Sequence, residues 1–152
     1  MTGHPAGAAV VPVRIHYTAT VEVSGGRAGS ARSLTGSLRL DLSRPAERGP
    51  DAPGTDPEEL FAAGYAACFD SALGAAARRE RIRTGPTRVT ASVALGQTDD
   101  DRYAVAVTLD VTAPECPQPD LERAVAAADR LCPYSNAVRG NAPVTIRAHG
   151  RR

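Results

Sequence analysis

The cysteines are the residues of this sequence best suited to chemistry, and there are three of them, Cys68, Cys116 and Cys132. A cysteine thiolate is a nucleophile and a metal ligand, whereas a buried thiol packs as a small apolar group. In a reducing compartment such residues are core residues, metal ligands or reactive thiols more often than structural disulfides. The histidines do not stand at metal-binding spacings from other ligand types, so we expect no metal site.

Two of the thiols lie in settings that leave both a structural and a chemical interpretation open. Cys68 lies within an alanine-rich stretch, residues 61–69, where a buried apolar thiol is the ordinary interpretation. Cys132 directly precedes Pro133 at a predicted helix start, where unpaired backbone N–H groups stabilise a thiolate. Helix-terminus physics alone therefore favours Cys132 as the more acidic thiol, with core packing as its alternative.

The cations that could assist a thiolate are all arginines. The chain has 18 Lys and Arg residues in total, and none of them is lysine. This excludes Schiff-base and lysine-base chemistry and leaves the guanidinium as the only strong cation for a site. With 17 acidic residues the net charge is +1, which gives no reason to expect binding to nucleic acid or to a membrane surface.

The chain length predicts one fold that must position these residues. With 152 residues we expect a single domain over residues 1–152, with residues 1–9 as a flexible N-terminus. We find no apolar run of the roughly 18 residues that span a bilayer and no signal-peptide pattern. The cytoplasm is therefore the expected location.

The first half of the sequence predicts a hairpin followed by a long helix. Alternating apolar residues predict strands over residues 10–23 and 33–42, and the glycines between them predict a turn that carries Arg27. After a Gly- and Pro-rich loop, Asp56 is the predicted N-cap, Pro57 the first helical residue and Glu59 the partner in a capping box. The helix continues from residue 60 to about residue 83, and its many alanines suit close packing against a neighbour.

The second half predicts another strand pair and two helices. Residues 88–95 and 103–112 alternate like antiparallel strands, residues 114–119 form a loop, and residues 120–131 form an amphipathic helix. A short helix over residues 134–139 and a last strand over residues 144–148 follow. The order β-β-loop-α-β-β-α-β is an α+β fold, and the sequence contains no dinucleotide-binding or P-loop motif.

Three motifs carry a resemblance to a known family. They are the segment GTDPEELFAAGYAACF at residues 54–69, the run LCPYSNA at residues 131–137 and the turn GGRAG at residues 25–29. Together, and over nearly the whole chain, they resemble the organic hydroperoxide resistance (Ohr) proteins of the OsmC/Ohr family. The cysteine motifs are closer to the Ohr branch than to the osmotically induced OsmC branch.

The resemblance implies a thiol peroxidase that reduces organic and lipid hydroperoxides to alcohols. It implies that Cys68 is the peroxidatic thiol and that Cys132 is the resolving thiol that forms a disulfide with it. It further implies that Arg27 and Glu58 activate Cys68. The implied structure is an OsmC-like fold, with an antiparallel sheet packed on a long central helix, in an intertwined homodimer. No bound cofactor or metal is needed, and the implied reductant is an external dithiol on a lipoylated protein.

Glu58 raises a geometric question, because it precedes Cys68 by ten residues. On one straight helix this is a rise of about 15 Å, too far for direct contact. Either the chain before Leu60 bends back, or Glu58 meets Cys68 of a second copy, which is the alternative that we favour. Without the resemblance, Glu58 is also explained by the helix dipole, and Arg27 by an exposed turn.

The resemblance also suggests a place for the substrate. Four aromatic side chains are predicted to line a pocket for the organic tail of a hydroperoxide, although core packing accounts for them equally well: Phe61, Tyr65, Phe69 and Tyr134. Cys116 lies outside the family motifs and is interpreted as an incidental free thiol. Asp56 stands where the family commonly has asparagine, a change that should preserve the helix cap.

Three other functions stay open at this point. An OsmC-type peroxidase with another peroxide preference would use the same two thiols. A redox sensor would switch through the cysteine pair without rapid turnover, and a purely structural domain would keep its cysteines buried and reduced.

Overall fold

The computed structural model describes residues 9–51 and 53–152. The predicted flexible N-terminus, residues 1–9, lies outside the described residues except for Ala9. The chain divides into two compact units, one over Val11–Leu60 and a larger one that contains Phe61–Arg152. The expectation of one domain over residues 1–152 stays a prediction.

The smaller unit contains a three-stranded antiparallel sheet, with the strands β1 Val21–Ser24, β2 Ser30–Ser33 and β3 Arg39–Asp41 in that order. A single 3-10 turn, Gly26–Ala28, joins β1 to β2 and carries Arg27, so the predicted hairpin is confirmed. Glycine is required at the end of this turn, since a Cβ on Gly29 would lie 1.7 Å from the carbonyl oxygen of Ser24.

Both strands of the hairpin are shorter than predicted. The strand expected over residues 10–23 begins only at residue 21, and the apolar side chains that predicted it, Val13 and Ile15 among them, are exposed in the chain. The strand expected over residues 33–42 is not the partner of β1, because that partner, β2, already ends at Ser33; a turn follows, and only β3 lies within the expected range. There the Ser33 hydroxyl accepts a hydrogen bond from the Leu38 N–H and replaces ladder pairing, and Gly36, at φ +77°, permits the turn.

Helix α1, Pro57–Glu80, begins where the sequence predicts. Asp56 is its N-cap, because Oδ1 accepts a hydrogen bond of 2.8 Å from the backbone N–H of Glu59. The second half of the predicted capping box is wrong. The Glu59 carboxylate accepts a hydrogen bond of 2.6 Å from the Thr55 hydroxyl rather than from the backbone of the cap residue.

The larger unit contains a second sheet, with the strands β4 Arg88–Gln97, β5 Tyr103–Pro117 and β6 Val144–Arg151 in that order. β4 and β5 pair antiparallel, as predicted, and β6 pairs parallel to β5. The sheet is therefore mixed rather than wholly antiparallel. The reason is that α2, Gln118–Leu131, and α3, Pro133–Val138, form a crossover between β5 and β6.

The loop predicted over residues 114–119 is wrong, because β5 continues to Pro117 and α2 begins at Gln118. The pairing of β5 with β6 shifts register between Thr112 and Pro117, and such an irregularity accommodates prolines that cannot donate to the ladder. The two helices that follow and the last strand are observed close to their predicted bounds, which completes the predicted α+β architecture.

The core of the larger unit is one cluster of apolar side chains from α1, β5 and α2. Its fully buried members include Phe69, Leu73, Leu109 and Leu121. Contrary to the sequence-based expectation, α1 is long and apolar enough by composition to cross a membrane. Since its buried face belongs to this core, α1 is better explained as the central helix of a globular fold.

Candidate active site

Cys68 and Cys132 are neighbours in the larger unit. Cys68 lies in the middle of α1 and is partly buried, whereas Cys132 is fully buried. Cys132 ends α2, where its N–H donates to the Ala128 carbonyl, and its own carbonyl accepts the Asn136 N–H at the start of α3. Both are free thiols, and Cys132 lies close enough to Cys68 to raise the pKa of its thiol. The fold thus brings the two predicted thiols together, while their roles stay predictions.

The surroundings of Cys68 within this unit act on its thiol in opposite directions. Burial, the largest effect, raises the pKa of the Cys68 thiol, and the neighbouring Cys132 raises it further. A hydrogen bond from the backbone N–H of Tyr134 lowers this pKa. Sequence reasoning assigns the N–H groups at the start of α3 to Cys132, but the Tyr134 N–H donates to Cys68. Cys68 therefore needs a further stabilising group before its thiolate dominates at neutral pH.

Three of the four predicted pocket aromatics form one cluster. Ring centroids lie 6.1 Å apart for Phe61 and Tyr65, 6.0 Å for Phe61 and Tyr134, and 5.7 Å for Tyr65 and Tyr134, which are typical aromatic contacts. Tyr134 lies against α1 only because residue 64 is glycine, since a Cβ on Gly64 would lie 2.6 Å from the Tyr134 hydroxyl. The fourth residue, Phe69, is fully buried in the core. A substrate-binding role for these residues stays a prediction.

A buried hydrogen bond connects α1 to α3. The Tyr65 hydroxyl and the Ser135 Oγ lie 2.8 Å apart, and both residues are almost completely inaccessible to solvent. Burial raises the pKa of Tyr65, so the phenol stays protonated and neutral. Sequence reasoning did not find this pair, because no local pattern indicates a partner 70 residues away.

Arg27 and Glu58 form a bidentate ion pair in the smaller unit. Nη1 of Arg27 lies 2.8 Å from Oε2 of Glu58, and Nη2 lies 2.7 Å from Oε1. The Arg27 side chain is 43% exposed and that of Glu58 only 16% exposed. The hydrogen bonds to Arg27 lower the pKa of Glu58, and those to Glu58 raise the pKa of Arg27. Both groups are therefore charged at every physiological pH.

The observed helix settles one alternative for Glu58. Because α1 already begins at Pro57, the chain does not bend back between Glu58 and Leu60, and that alternative is wrong. An approach of Glu58 to Cys68 of a second copy stays a prediction. The structure thus contains a pair of thiols and a pair of opposite charges. The activation of Cys68 by Arg27 and Glu58 stays a prediction.

Arg48 is a residue of this region that sequence reasoning missed. Its Nη2 lies 2.5 Å from Oδ2 of Asp56, its Nη1 donates to the Gly54 carbonyl at 2.9 Å, and Nη1 lies 3.5 Å from the Glu59 carboxylate. Asp56 is buried, and a buried carboxylate requires a cation. The need of a buried carboxylate for a cation is the signal that points to such a partner. The irregular loop that contains Arg48 has no sequence pattern that would place this arginine beside Asp56.

Cys116 is a free thiol that lies in a strand rather than in the predicted loop, and its interpretation as an incidental thiol stays a prediction. It is fully buried in β5, and burial raises the pKa of its thiol, which disfavours the reactive thiolate. Over residues 9–51 and 53–152, no three His, Cys, Asp or Glu side chains cluster in a way that could hold a metal ion.

Most of this chain matches a known protein family and individual members of it. Residues 49–147 match the model of the OsmC-like protein family. The chain is 45% identical over 135 residues to the organic hydroperoxide resistance protein OhrA of Bacillus subtilis, with 86% of this chain and 94% of that protein covered. It is 40% identical over 137 residues to the organic hydroperoxide resistance protein of Xanthomonas axonopodis pv. citri, with 89% and 96% covered.

Solved structures show the same similarity in three dimensions. An organic hydroperoxide resistance protein from Legionella pneumophila superposes with a TM-score of 0.83 at 38% identity, covering 90% of this chain and 99% of that one. The OhrB protein of Bacillus subtilis superposes with a TM-score of 0.81 at 38% identity, covering 87% and 98%. The OsmC-like fold expected from the sequence motifs is confirmed.

Proposed function

Because this chain belongs to the OsmC/Ohr family, we propose that it is a cysteine peroxidase that reduces alkyl and lipid hydroperoxides to alcohols. The observation that carries the proposal is the contact between the partly exposed Cys68 and the buried Cys132. A peroxide reaches the first thiol from solvent, and the second lies within reach of the oxidised product. The names of the relatives, which refer to organic hydroperoxide resistance, support this substrate class.

The reaction takes two steps. In the first, the Cys68 thiolate attacks the distal oxygen of the hydroperoxide, the O–O bond breaks, and the alkoxide takes a proton and leaves as the alcohol. Cys68 becomes a sulfenic acid. In the second, the Cys132 sulfur attacks the Cys68 sulfur, and the sulfenic hydroxyl leaves with the thiol proton as water. The two electrons that the thiols give up reduce the O–O bond, whose oxygens leave as alcohol and water, and the disulfide is the oxidised form of the protein.

Arg27 is the cation that we assign to the Cys68 thiolate. Burial raises the pKa of Cys68, and arginine is the only strong cation in the chain, so a guanidinium must supply the stabilisation. The two hydrogen bonds to Glu58 fix the orientation of the Arg27 guanidinium. They leave its other N–H groups free to donate to a sulfur anion or a peroxide oxygen.

We place this activation in a homodimer. Glu58 precedes Cys68 by ten residues on α1, which separates them by about 15 Å of helical rise, whereas a second subunit brings its own Arg27 and Glu58 from another direction. Exposed apolar side chains support a second copy that covers them. They lie in the N-terminal part of the chain: Val10, Val11, Val13, Ile15, Tyr17, Val21, Val23 and Leu34.

The aromatic cluster is the proposed wall for the organic part of the substrate. Phe61, Tyr65 and Tyr134 offer apolar surface, and Phe69 is the fourth residue assigned to the wall, buried in the core. Apolar surface favours a substrate with an organic tail over hydrogen peroxide. After turnover, an external dithiol carried by a lipoylated protein reduces the disulfide, and no bound cofactor or metal takes part. We propose the cytoplasm as the location, since a reducing compartment keeps the cysteines free.

Steady-state kinetics test this function. Consumption of cumene hydroperoxide or a fatty-acid hydroperoxide with dihydrolipoamide as reductant should be fast, and consumption of hydrogen peroxide should be slow. Cys68→Ser should abolish turnover. Cys116→Ser is the matched control and should retain it, because Cys116 is fully buried and burial disfavours its reactive thiolate. Preferential use of hydrogen peroxide would indicate an OsmC-type peroxidase of another preference, and one oxidation without turnover would indicate a redox sensor.

A further inference from the structure

The hydrogen bond between Tyr65 and Ser135 stands in a fixed relation to the two thiols. Tyr65 lies one helical turn before Cys68 on α1, and Ser135 lies one turn after Cys132 in α3. Their hydroxyls meet at 2.8 Å in the protein interior. The bond therefore connects the two helices close to the thiols, and Cys132 is near enough to raise the pKa of Tyr65 as well, after the larger effect of burial.

The helix α3 depends on such a connection for its position. It has six residues, Pro133–Val138, and a helix of this length is fixed by its tertiary contacts rather than by its own hydrogen bonds. Two hydrogen bonds join α3 to α1: the Tyr134 N–H donates to Cys68, and the hydroxyls of Tyr65 and Ser135 form a bond between two side chains. Breaking a buried hydrogen bond leaves both hydroxyls unpaired, which is strongly disfavoured, so the pair resists sliding of one helix along the other.

We propose that Tyr65 and Ser135 are positioning residues for disulfide closure, an inference that rests on the proposed function. In that step the Cys132 sulfur attacks the Cys68 sulfur opposite the departing hydroxyl, which leaves with the thiol proton as water. A disulfide tolerates only a narrow range of Cα distances and torsion angles. By fixing the position of α3 along α1, the Tyr65–Ser135 bond keeps Cys132 in line with Cys68.

The first reaction step is less sensitive to this position. It requires the Cys68 thiolate and a hydroperoxide, and α3 contributes to it only the Tyr134 N–H that donates to the sulfur. A hydrogen bond to sulfur is long and tolerates displacement better than the formation of a covalent bond does. Loosening α3 should therefore slow disulfide closure far more than it slows sulfenic acid formation.

Ser135→Ala separates the two steps experimentally. The protein is mixed with one equivalent of cumene hydroperoxide, quenched at timed intervals with a sulfenic-acid trap, and analysed by mass spectrometry. We expect disulfide closure to slow on the order of tenfold, as for other small misplacements of reacting groups, while sulfenic acid forms at close to the parental rate. With excess peroxide, the longer-lived sulfenic acid of Ser135→Ala should be oxidised further to sulfinic acid.

Two further variants make the result specific. Ser71→Ala removes an exposed hydroxyl from α1 and should close its disulfide at the parental rate. Tyr65→Phe should slow closure like Ser135→Ala, and combining the two changes should slow it no further, because they break one bond. Closure at the parental rate in Ser135→Ala, or independent effects of the two changes, would overturn the proposal. If the parent protein itself forms no Cys68–Cys132 disulfide, the proposed function falls with it.

Discussion

The guanidinium of Arg27 and the carboxylate of Glu58 join through two parallel hydrogen bonds of 2.8 and 2.7 Å, although 31 residues separate them in the sequence. This fork-to-fork geometry is specific to arginine, because an ammonium group cannot make it. It ties the first hairpin to the start of α1 within the smaller unit. The negative charge of Asp56 acts in the same direction and further raises the pKa of Arg27.

The first prediction concerns Arg27 as the activating cation. We expect Arg27→Ala to slow sulfenic acid formation at Cys68 by more than about tenfold at neutral pH, since a thiol at or above the ordinary pKa near about 8.5 is only a few per cent thiolate there. Single-turnover kinetics with an organic hydroperoxide measure this rate, and Cys132→Ser should slow it far less. Arg32→Ala, which removes an exposed arginine of β2, is the control. Identical rates for Arg27→Ala and the parent protein would remove the activation model.

The second prediction concerns pH. Burial raises the pKa of Cys68, so in Arg27→Ala the thiolate should appear only as the pH rises above the ordinary thiol range near about 8.5. In the parent protein the same titration should lie at lower pH. The rate of iodoacetamide alkylation at Cys68, followed by mass spectrometry across pH, gives both curves. Superimposable curves would show that Arg27 does not act on this sulfur.

The lowered pKa of Glu58 makes a separate prediction for the alkylation rate of Cys68 at acidic pH. Arg27 lowers the pKa of Glu58, so the ion pair is intact above this lowered value and is lost only as the pH falls through it. Between the ordinary carboxyl range and neutrality, the alkylation rate should therefore follow the Cys68 titration alone. A second inflection within that interval would contradict the charged state that we assign to Glu58.

The local signals in the sequence predicted most of what positions the site. Asp56 and Pro57 mark the start of α1 because capping and a fixed proline φ act within a few residues. Cys132 before Pro133 marks the boundary between α2 and α3 for the same reason. The pairing of Cys68 with Cys132 came from the resemblance to a family and not from these local patterns.

Features that depend on distant partners were not predictable. The break between β2 and β3 depends on the hydroxyl of Ser33 bonding to Leu38. Residues 10–19 pair with no strand among residues 9–51 and 53–152, although their alternation is clear. Likewise, the contact of Arg48 with Asp56 joins an irregular loop to a helix cap. In each case the deciding interaction is absent from the local sequence that was used for prediction.

The third prediction concerns the buried pair of Arg48 and Asp56. Asp56→Asn keeps an oxygen that can accept the Glu59 N–H but leaves the guanidinium without its partner charge, and we expect a loss of about 1–2 kcal/mol in unfolding free energy. Asp56→Ala also removes the cap and should lose about 1 kcal/mol more. Urea denaturation measures both. An unchanged midpoint for Asp56→Asn would show that the 2.5 Å contact contributes nothing to stability.

The fourth prediction separates the aromatic wall from the stability of α1. A Cβ on Gly64 would lie 2.6 Å from the Tyr134 hydroxyl and 3.1 Å from the ring carbon that bears it, so Gly64→Ala must push this partly exposed ring away from α1. Alanine favours a helix over glycine by about 1 kcal/mol, which offsets part of the lost contact. We therefore expect little change in stability but a fall of several-fold in kcat/KM for cumene hydroperoxide, with hydrogen peroxide affected much less.

Gly74→Ala is the matched control for this change on the same helix. A Cβ on Gly74 would approach only the flexible end of Arg78, at 3.4 Å, so this variant gains the same helix propensity and leaves the aromatic cluster untouched. It should be as stable as the parent or more stable, with unchanged kcat/KM for both peroxides. If both alanine variants lose cumene hydroperoxide activity equally, the loss reflects the rigidity of α1 and not the position of Tyr134. If neither loses it, the Tyr134 ring does not contact the organic part of the substrate.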